Sequence, residues 1–321
     1  MTSRLFYAVA LVFALMFAPQ APATAKNVCR DQGANCAHLV YRGFTYPYER
    51  LETSYLYVNA GVYPYVTITE NLLRDSTVRL PDDSVVTVKK LLKKLGLQEK
   101  AKMTLSPVVG YGSNPAPAQL ERKFRAKSLE GNVVIPVMRG SLKDFDIAWT
   151  PVFVSYGAMP STITRSPGTE VDVWITWLDE EAVKEMDATE RADPARRPLY
   201  VRSRLEGAEY QFDGPQPEAI ELYVSCFGPL TINGKTYAVD AVPAKGRKFV
   251  PVSSPEALNT VLPILEWEGD VLELLYDNVV SPENRAERST RLKSYGAFPD
   301  IPGAEGLAAC KQSRIGAEKP Y

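Results

Sequence analysis

Few residues in this sequence have the types and spacing that chemistry needs. His38 is the single histidine, so a Ser-His-Asp triad would have to be built around it and a zinc site needing two histidine ligands is excluded. Cys29, Cys36, Cys226 and Cys310 contain no CxxC pair, which leaves disulfides as the natural reading. Their pairing stays open among three arrangements, of which Cys29 with Cys36 is the most local, and Cys226 in its apolar run could equally be a buried small hydrophobe. Asp179, Glu180 and Glu181 could face a cation, but acidic residues also favour the first turn of a helix, which accounts for them. Gly110-Tyr111-Gly112-Ser113-Asn114 begins like a dinucleotide loop yet lacks the third glycine, and Tyr at 111 rules out a nucleophile elbow. No metal and no cofactor are expected.

Composition narrows the partners. The chain has 321 residues with 37 basic against 38 acidic side chains, a formal charge of −1, which argues against nucleic acid held by global positive charge. Hydrophobic residues make up 45%, enough to bury a sizeable core. Arg4, the apolar run Leu5 to Ala18 and Ala23-Thr24-Ala25 have the form of an export signal, so residues 1–25 are expected to be removed. The apolar run is shorter than the roughly 20 residues that span a bilayer. An exported chain, periplasmic or secreted, with no stable membrane insertion is the expectation.

The elements that must position the loop follow from the pattern. Residues 26–102 form an N-terminal extension, with a hairpin of 54–58 and 62–66 around Asn59-Ala60-Gly61; Pro64 should place its second strand at a sheet edge. Thr87 can cap a helix with Val88, Leu91, Leu92 and Leu95 on its apolar face, ending at Gly96. Its lysines 89, 90, 93 and 94 read as a solvated face rather than a lipid contact. The tyrosines at 41, 46, 48, 55, 57, 63 and 65 read as sheet packing rather than a ligand platform.

Residues 103–206 form the core unit. A strand over 105–109 enters the Gly110 to Asn114 loop, and a helix over 116–126 follows. Apolar stretches at 133–137, 151–156, 161–164 and 171–177 read as separate strands, with turns at Gly157 and Pro167-Gly168. A helix over 180–189 leads to Glu190, and a polar connector over 191–198 precedes a strand at 199–205. Residues 207–298 hold a hairpin, 219–242, turning at Asn233-Gly234, and a helix over 255–265. Residues 299–321 read as a mobile tail.

Tyr111-Gly112-Ser113-Asn114 at a strand-to-helix loop, the segment Gly157 to Ile163, then Ser166 to Trp174, and the helix end Met186-Asp187-Ala188-Thr189-Glu190 stand in an order and spacing that resemble the gamma-glutamylcyclotransferase family over about residues 105 to 205. The resemblance implies an α+β fold, a small mixed-strand β-barrel of gamma-glutamylcyclotransferase type with flanking helices and N- and C-terminal additions. It implies Glu190 as the catalytic acid-base, Tyr111, Gly112, Ser113 and Asn114 as the cradle for a glutamyl end, and Tyr200 as a pocket residue. Partial burial beneath the loop would then raise the Glu190 pKa. Pro115 stands where the family usually has an aliphatic residue, and Arg191 where glycine is common.

The implied reaction is cofactor-free attack of an α-amine on the γ-glutamyl amide of the same small molecule, giving 5-oxoproline and an amine or amino acid. The alternative is a binding protein of the same fold without turnover, an envelope module whose protein partner the sequence does not name.

Overall fold

The structure, a computed structural model, describes residues 29, 33–192, 198–299, 301, 304 and 307–310. The expected export signal, most of the 191–198 connector and most of the tail lie outside the described residues.

Helix α1 (Gly33–Phe44) opens the described chain. β1 (Tyr55–Val58) and β2 (Gly61–Thr67) form the expected hairpin, and Asn59 and Ala60 turn it with positive φ values of 47° and 69°. Its second strand is not at an edge, because β2 continues onto β3 (Thr77–Arg79), which continues onto β4 (Val85–Thr87). Pro64 is tolerated because the pairing with β3 begins only at Tyr65, one residue later, so no ladder N–H is demanded of it. Thr87 caps α2 (Val88–Lys94), accepting from the Lys90 N–H at 3.3 Å. Val88, Leu91 and Leu92 are buried, whereas Leu95 is 39% exposed, because the helix ends just before it.

The core is organised by two strands longer than the sequence suggested. β5 (Ser106–Gly110) and α3 (Pro117–Leu129) flank the loop. β6 (Val134–Trp149) and β7 (Ser161–Leu178) then pair antiparallel almost throughout. The expected break at Pro167-Gly168 is a bulge within the pair. Asp144, at φ 63°, occupies the register shift, and its carboxylate accepts from the Gly168 N–H at 2.7 Å. Residues 151–156 form a turn rather than a strand.

Helix α4 (Glu180–Glu190) is followed by β8 (Tyr200–Leu205), β9 (Tyr210–Phe212) and β10 (Ile220–Ser225). Asn233-Gly234 does turn the chain, but it joins β11 (Thr231–Ile232) to β12 (Lys235–Val239); β10 instead pairs parallel with β5 and antiparallel with β8. β13 (Ala244–Lys245) and β14 (Val250–Val252) add to β7 and β12. Helices α5 (Ser254–Val261), α6 (Val271–Val280) and α7 (Pro282–Leu292) complete the described chain.

The fold is mixed α+β with one large sheet, whose main path runs β4-β3-β2-β1-β6-β7-β5-β10-β8. The expected barrel is corrected: the sheet is open, and among the described residues β4 and β8 do not pair with one another. Strand alternation gives the sheet two apolar faces. Val109, Val173, Ile175, Leu222 and Val224 pack in one cluster with residues of α1, α5 and α6. Val108, Trp174, Leu178 and Tyr223 pack in another with Leu120 and Phe124 of α3 and Val183 and Met186 of α4. That second layer aims the ends of α3 and α4 at the loop leaving β5.

Disulfides join Cys29 to Cys36 and Cys226 to Cys310. Among the described residues no helix is long and apolar enough to cross a membrane.

Candidate functional site

The loop after β5 is held from several sides. Tyr111 is buried, and its hydroxyl donates to the Tyr223 carbonyl on β10. Its own carbonyl accepts from Arg50 Nη1 at 3.2 Å, while Arg50 Nη2 donates to the Ala241 carbonyl. The Arg50 guanidinium lies 4.8 Å from the Trp174 ring centroid, and burial pushes it down to about 10. Gly112 is required by close approach: a Cβ there would stand 2.5 Å from Ser161 Oγ and 2.7 Å from the Tyr46 hydroxyl. Ser113 is buried, and its carbonyl accepts from the Ala116 N–H at 2.9 Å as the chain enters α3. Among the described residues, the main-chain N–H groups of Gly112, Ser113 and Asn114 have no protein acceptor.

Glu190 reaches this loop from the far end of α4. Asn114 Nδ2 donates to Glu190 Oε1 at 3.0 Å across 76 positions of sequence. Lys123 of α3 donates to the same oxygen at 2.6 Å and to Thr189 Oγ1 at 2.7 Å. The Lys123 side chain is 5% exposed and that of Glu190 is 16% exposed, so water screens this pair little. Among the described residues no hydrogen bond ends on Glu190 Oε2. One carboxylate oxygen is anchored and, among the described residues, the other has no hydrogen-bond partner.

Helix α4 starts as the acidic cluster suggested. Asp179 is its N-cap, accepting from the Ala182 N–H at 2.8 Å, and it pairs with Lys100 at 2.9 Å. Among the described residues no group of acidic, histidine or cysteine side chains could hold a metal. Arg191 ends the helix in the left-handed region, φ 54° and ψ 45°, which is the backbone that glycine adopts freely. The non-glycine residue noted in the sequence is therefore accommodated rather than displacing Glu190.

Tyr200 is buried and feels the Glu190 charge, but its hydroxyl donates to the Ser161 carbonyl at 2.6 Å rather than to Glu190. Ser161 also joins Tyr46, with 2.8 Å between the two hydroxyls, and the Ser161 N–H donates to the Tyr46 hydroxyl at 3.1 Å. Burial pushes the phenols of Tyr46, Tyr111, Tyr200 and Tyr223 above their ordinary value, with the Asp187 carboxylate adding to the effect at Tyr223 and the Glu190 charge adding to it at all four. All four stay protonated at neutral pH and can donate but not act as bases.

The structure thus brings Glu190 to Asn114 and lines the loop with Tyr111, Gly112 and Ser113, while Tyr200 stands behind Ser161. Sequence reading missed Lys123, Arg50, Tyr46 and Ser161. Their roles depend on contacts between elements far apart in sequence, for which no local pattern exists. Two concavities lie elsewhere, one lined in part by Phe124, Val133 and Ala182 and one by Arg165, Pro229 and Phe298.

No family model matches the chain, and no curated protein matches it. A solved structure described as gamma-glutamyl cyclotransferase is similar at 12% identity over 66% of this chain and 99% of its own, with a TM-score of 0.30. At that overlap neither fold nor activity transfers from one protein to the other.

Proposed function

We propose that the chain is an exported, cofactor-free acyl-transfer enzyme of cyclotransferase type, acting on a small γ-glutamyl compound. The observation that carries this reading is the meeting of the Glu190 carboxylate with the Asn114 amide beside three uncommitted N–H groups of one loop. A base with one open oxygen and a run of donors for a developing oxyanion are the two groups that the reaction requires.

In the proposed reaction the substrate amine forms a bond to its own γ-carbonyl carbon. Tethering supplies an effective molarity that can reach roughly 10⁵ M or more when the ends are aligned. Glu190 Oε2 takes one proton from the α-ammonium and gives it to the departing nitrogen as the old amide bond breaks; the second proton of the former ammonium, then on the ring nitrogen, passes to the released amine, which leaves as an ammonium. Asn114 and Lys123, both on Oε1, fix the direction in which Oε2 faces. The loop N–H groups receive the carbonyl oxygen while it carries charge. The two disulfides fit an oxidising compartment and support export.

Incubation of the mature protein with a panel of γ-glutamyl amides and peptides is expected to yield 5-oxoproline. Glu190→Gln, checked for folding by thermal unfolding, should lower turnover about 100-fold or more, as for loss of a general base. No product from the wild type across the panel, or equal turnover in the variant, overturns the reading. The Lys123 ion pair favours a second reading, a binding module in which Glu190 only closes the fold; calorimetric binding of a panel member without product would establish it.

A further inference from the structure

We infer that Arg42 of α1 and Arg122 of α3, converging on the Tyr48 ring, form a binding site for an oxyanion, a carboxylate or a phosphate group. The two guanidinium carbons lie 5.7 Å and 5.0 Å from the Tyr48 ring centroid, and Arg42 also lies 4.5 Å from that of Tyr156. Two cations drawn to one aromatic ring repel each other, and each has given up some hydration to be there. Burial, and then the charge of Arg42, holds Arg122 below its ordinary value.

The rest of the molecule treats such arginines differently. Arg202 meets Asp187 at 3.0 Å and Glu221 at 2.7 Å, Arg247 meets Asp146 at 2.9 Å, and Arg288 meets Asp277 at 2.6 Å. Arg50 donates instead to two main-chain carbonyls. Among the described residues, neither Arg42 nor Arg122 has a carboxylate partner. Arg122 gives Nη1 to the Ala118 carbonyl at 3.2 Å and Nη2 to Gln119 Oε1. Arg42 gives Nε to the Tyr48 hydroxyl at 3.2 Å, and among the described residues both its terminal nitrogens lack an acceptor. An open guanidinium fork beside a second guanidinium is the arrangement that receives a planar, doubly accepting anion.

His38 stands one turn before Arg42 on α1 and feels both arginines, which, after burial, hold its pKa down. Being the only histidine of the sequence, it is a built-in reporter. The site is one ring removed from the candidate loop, since the Tyr46 ring lies 5.8 Å from Tyr48 and its hydroxyl faces Gly112. It stands whether or not Glu190 turns over a substrate.

The test follows the His38 ring proton by NMR against pH in untagged full-length protein, with glutarate or inorganic phosphate added against sodium chloride of equal ionic strength. An anion seated between the arginines favours the imidazolium, so the His38 midpoint should rise saturably with at least one probe. Saturation by glutarate alone identifies a carboxylate site, and saturation by phosphate alone a phosphate site. Arg42→Gln and Arg122→Gln should each weaken the response about tenfold or more, the effect of losing a charge-assisted hydrogen bond. Arg79→Gln, at an exposed pair with Asp83, should leave it unchanged. If a glutamine variant does not fold, Arg42→Lys, which keeps the charge and loses the fork, is expected to show the same weakening. No saturable response beyond chloride, or equal responses in wild type and the arginine variants, overturns the inference.

Discussion

Helix α3 carries two neighbouring cations with opposite fates. Lys123 is nearly sealed and grips the Glu190 carboxylate at 2.6 Å, while Arg122, one residue earlier, shares the Tyr48 ring with another arginine. The first charge is neutralised within the chain and works as structure. The second is left to be neutralised from outside. Charge of one sign on one helix therefore says little until its surroundings are known, and the two sites should answer mutation in different ways.

The strongest way to break the contrast is at Lys123. Lys123→Met leaves Glu190 without its cation in a poorly solvated place, and stability measured by denaturant should fall by roughly 2–4 kcal/mol, somewhat below the loss for a fully buried pair. Gly112→Ala comes next. Its new methyl would meet the hydroxyls of Ser161 and Tyr46 at 2.5 Å and 2.7 Å, so a cost of about 1–3 kcal/mol is expected from overpacking, read as a lower thermal midpoint.

The smallest effect should come from Arg42→Gln, which removes a repulsion along with a ring contact and should leave stability within about 0.5 kcal/mol of wild type. That variant has a sharper signature in its pH response. Folded His38 titrates below its ordinary 6.5, so as pH falls through about 6.5 the unfolded chain takes up a proton that the folded chain refuses, and stability declines in that direction. Without Arg42 the decline should be shallower, as seen in denaturant midpoints between about pH 5 and pH 7. A loss as large as that at Lys123 would mean that Arg42 is structural, and the contrast would fail.

What the sequence made legible was local. The turn at Asn59-Ala60, the Thr87 cap, the order of strand, loop and helix around Tyr111 to Asn114, and the helix ending at Glu190 all rest on a few neighbouring residues. Sheet closure was not legible, because it depends on which distant strands meet, and the order ending in β5-β10-β8 joins β5 (Ser106–Gly110) to β10 (Ile220–Ser225), far along the sequence. Of β6 only 133–137 reads as strand from the sequence, and Pro167-Gly168 reads as a turn that splits β7, whereas a bulge pinned by Asp144 carries the ladder through. In the site, the carboxylate could be named and its ammonium could not. Lys123 is an unremarked residue of a helix until α4 is laid against α3.

The left-handed exit at Arg191 bears on how this chain can drift. A side chain carrying a Cβ is strained there by about 1 kcal/mol relative to glycine, so exchange to glycine would relax the backbone while widening the directions in which α4 hands over its last residue. Ease of the main chain and steadiness of the acid are set against each other at one position. A lineage could slide along that trade while the acid itself stayed untouched.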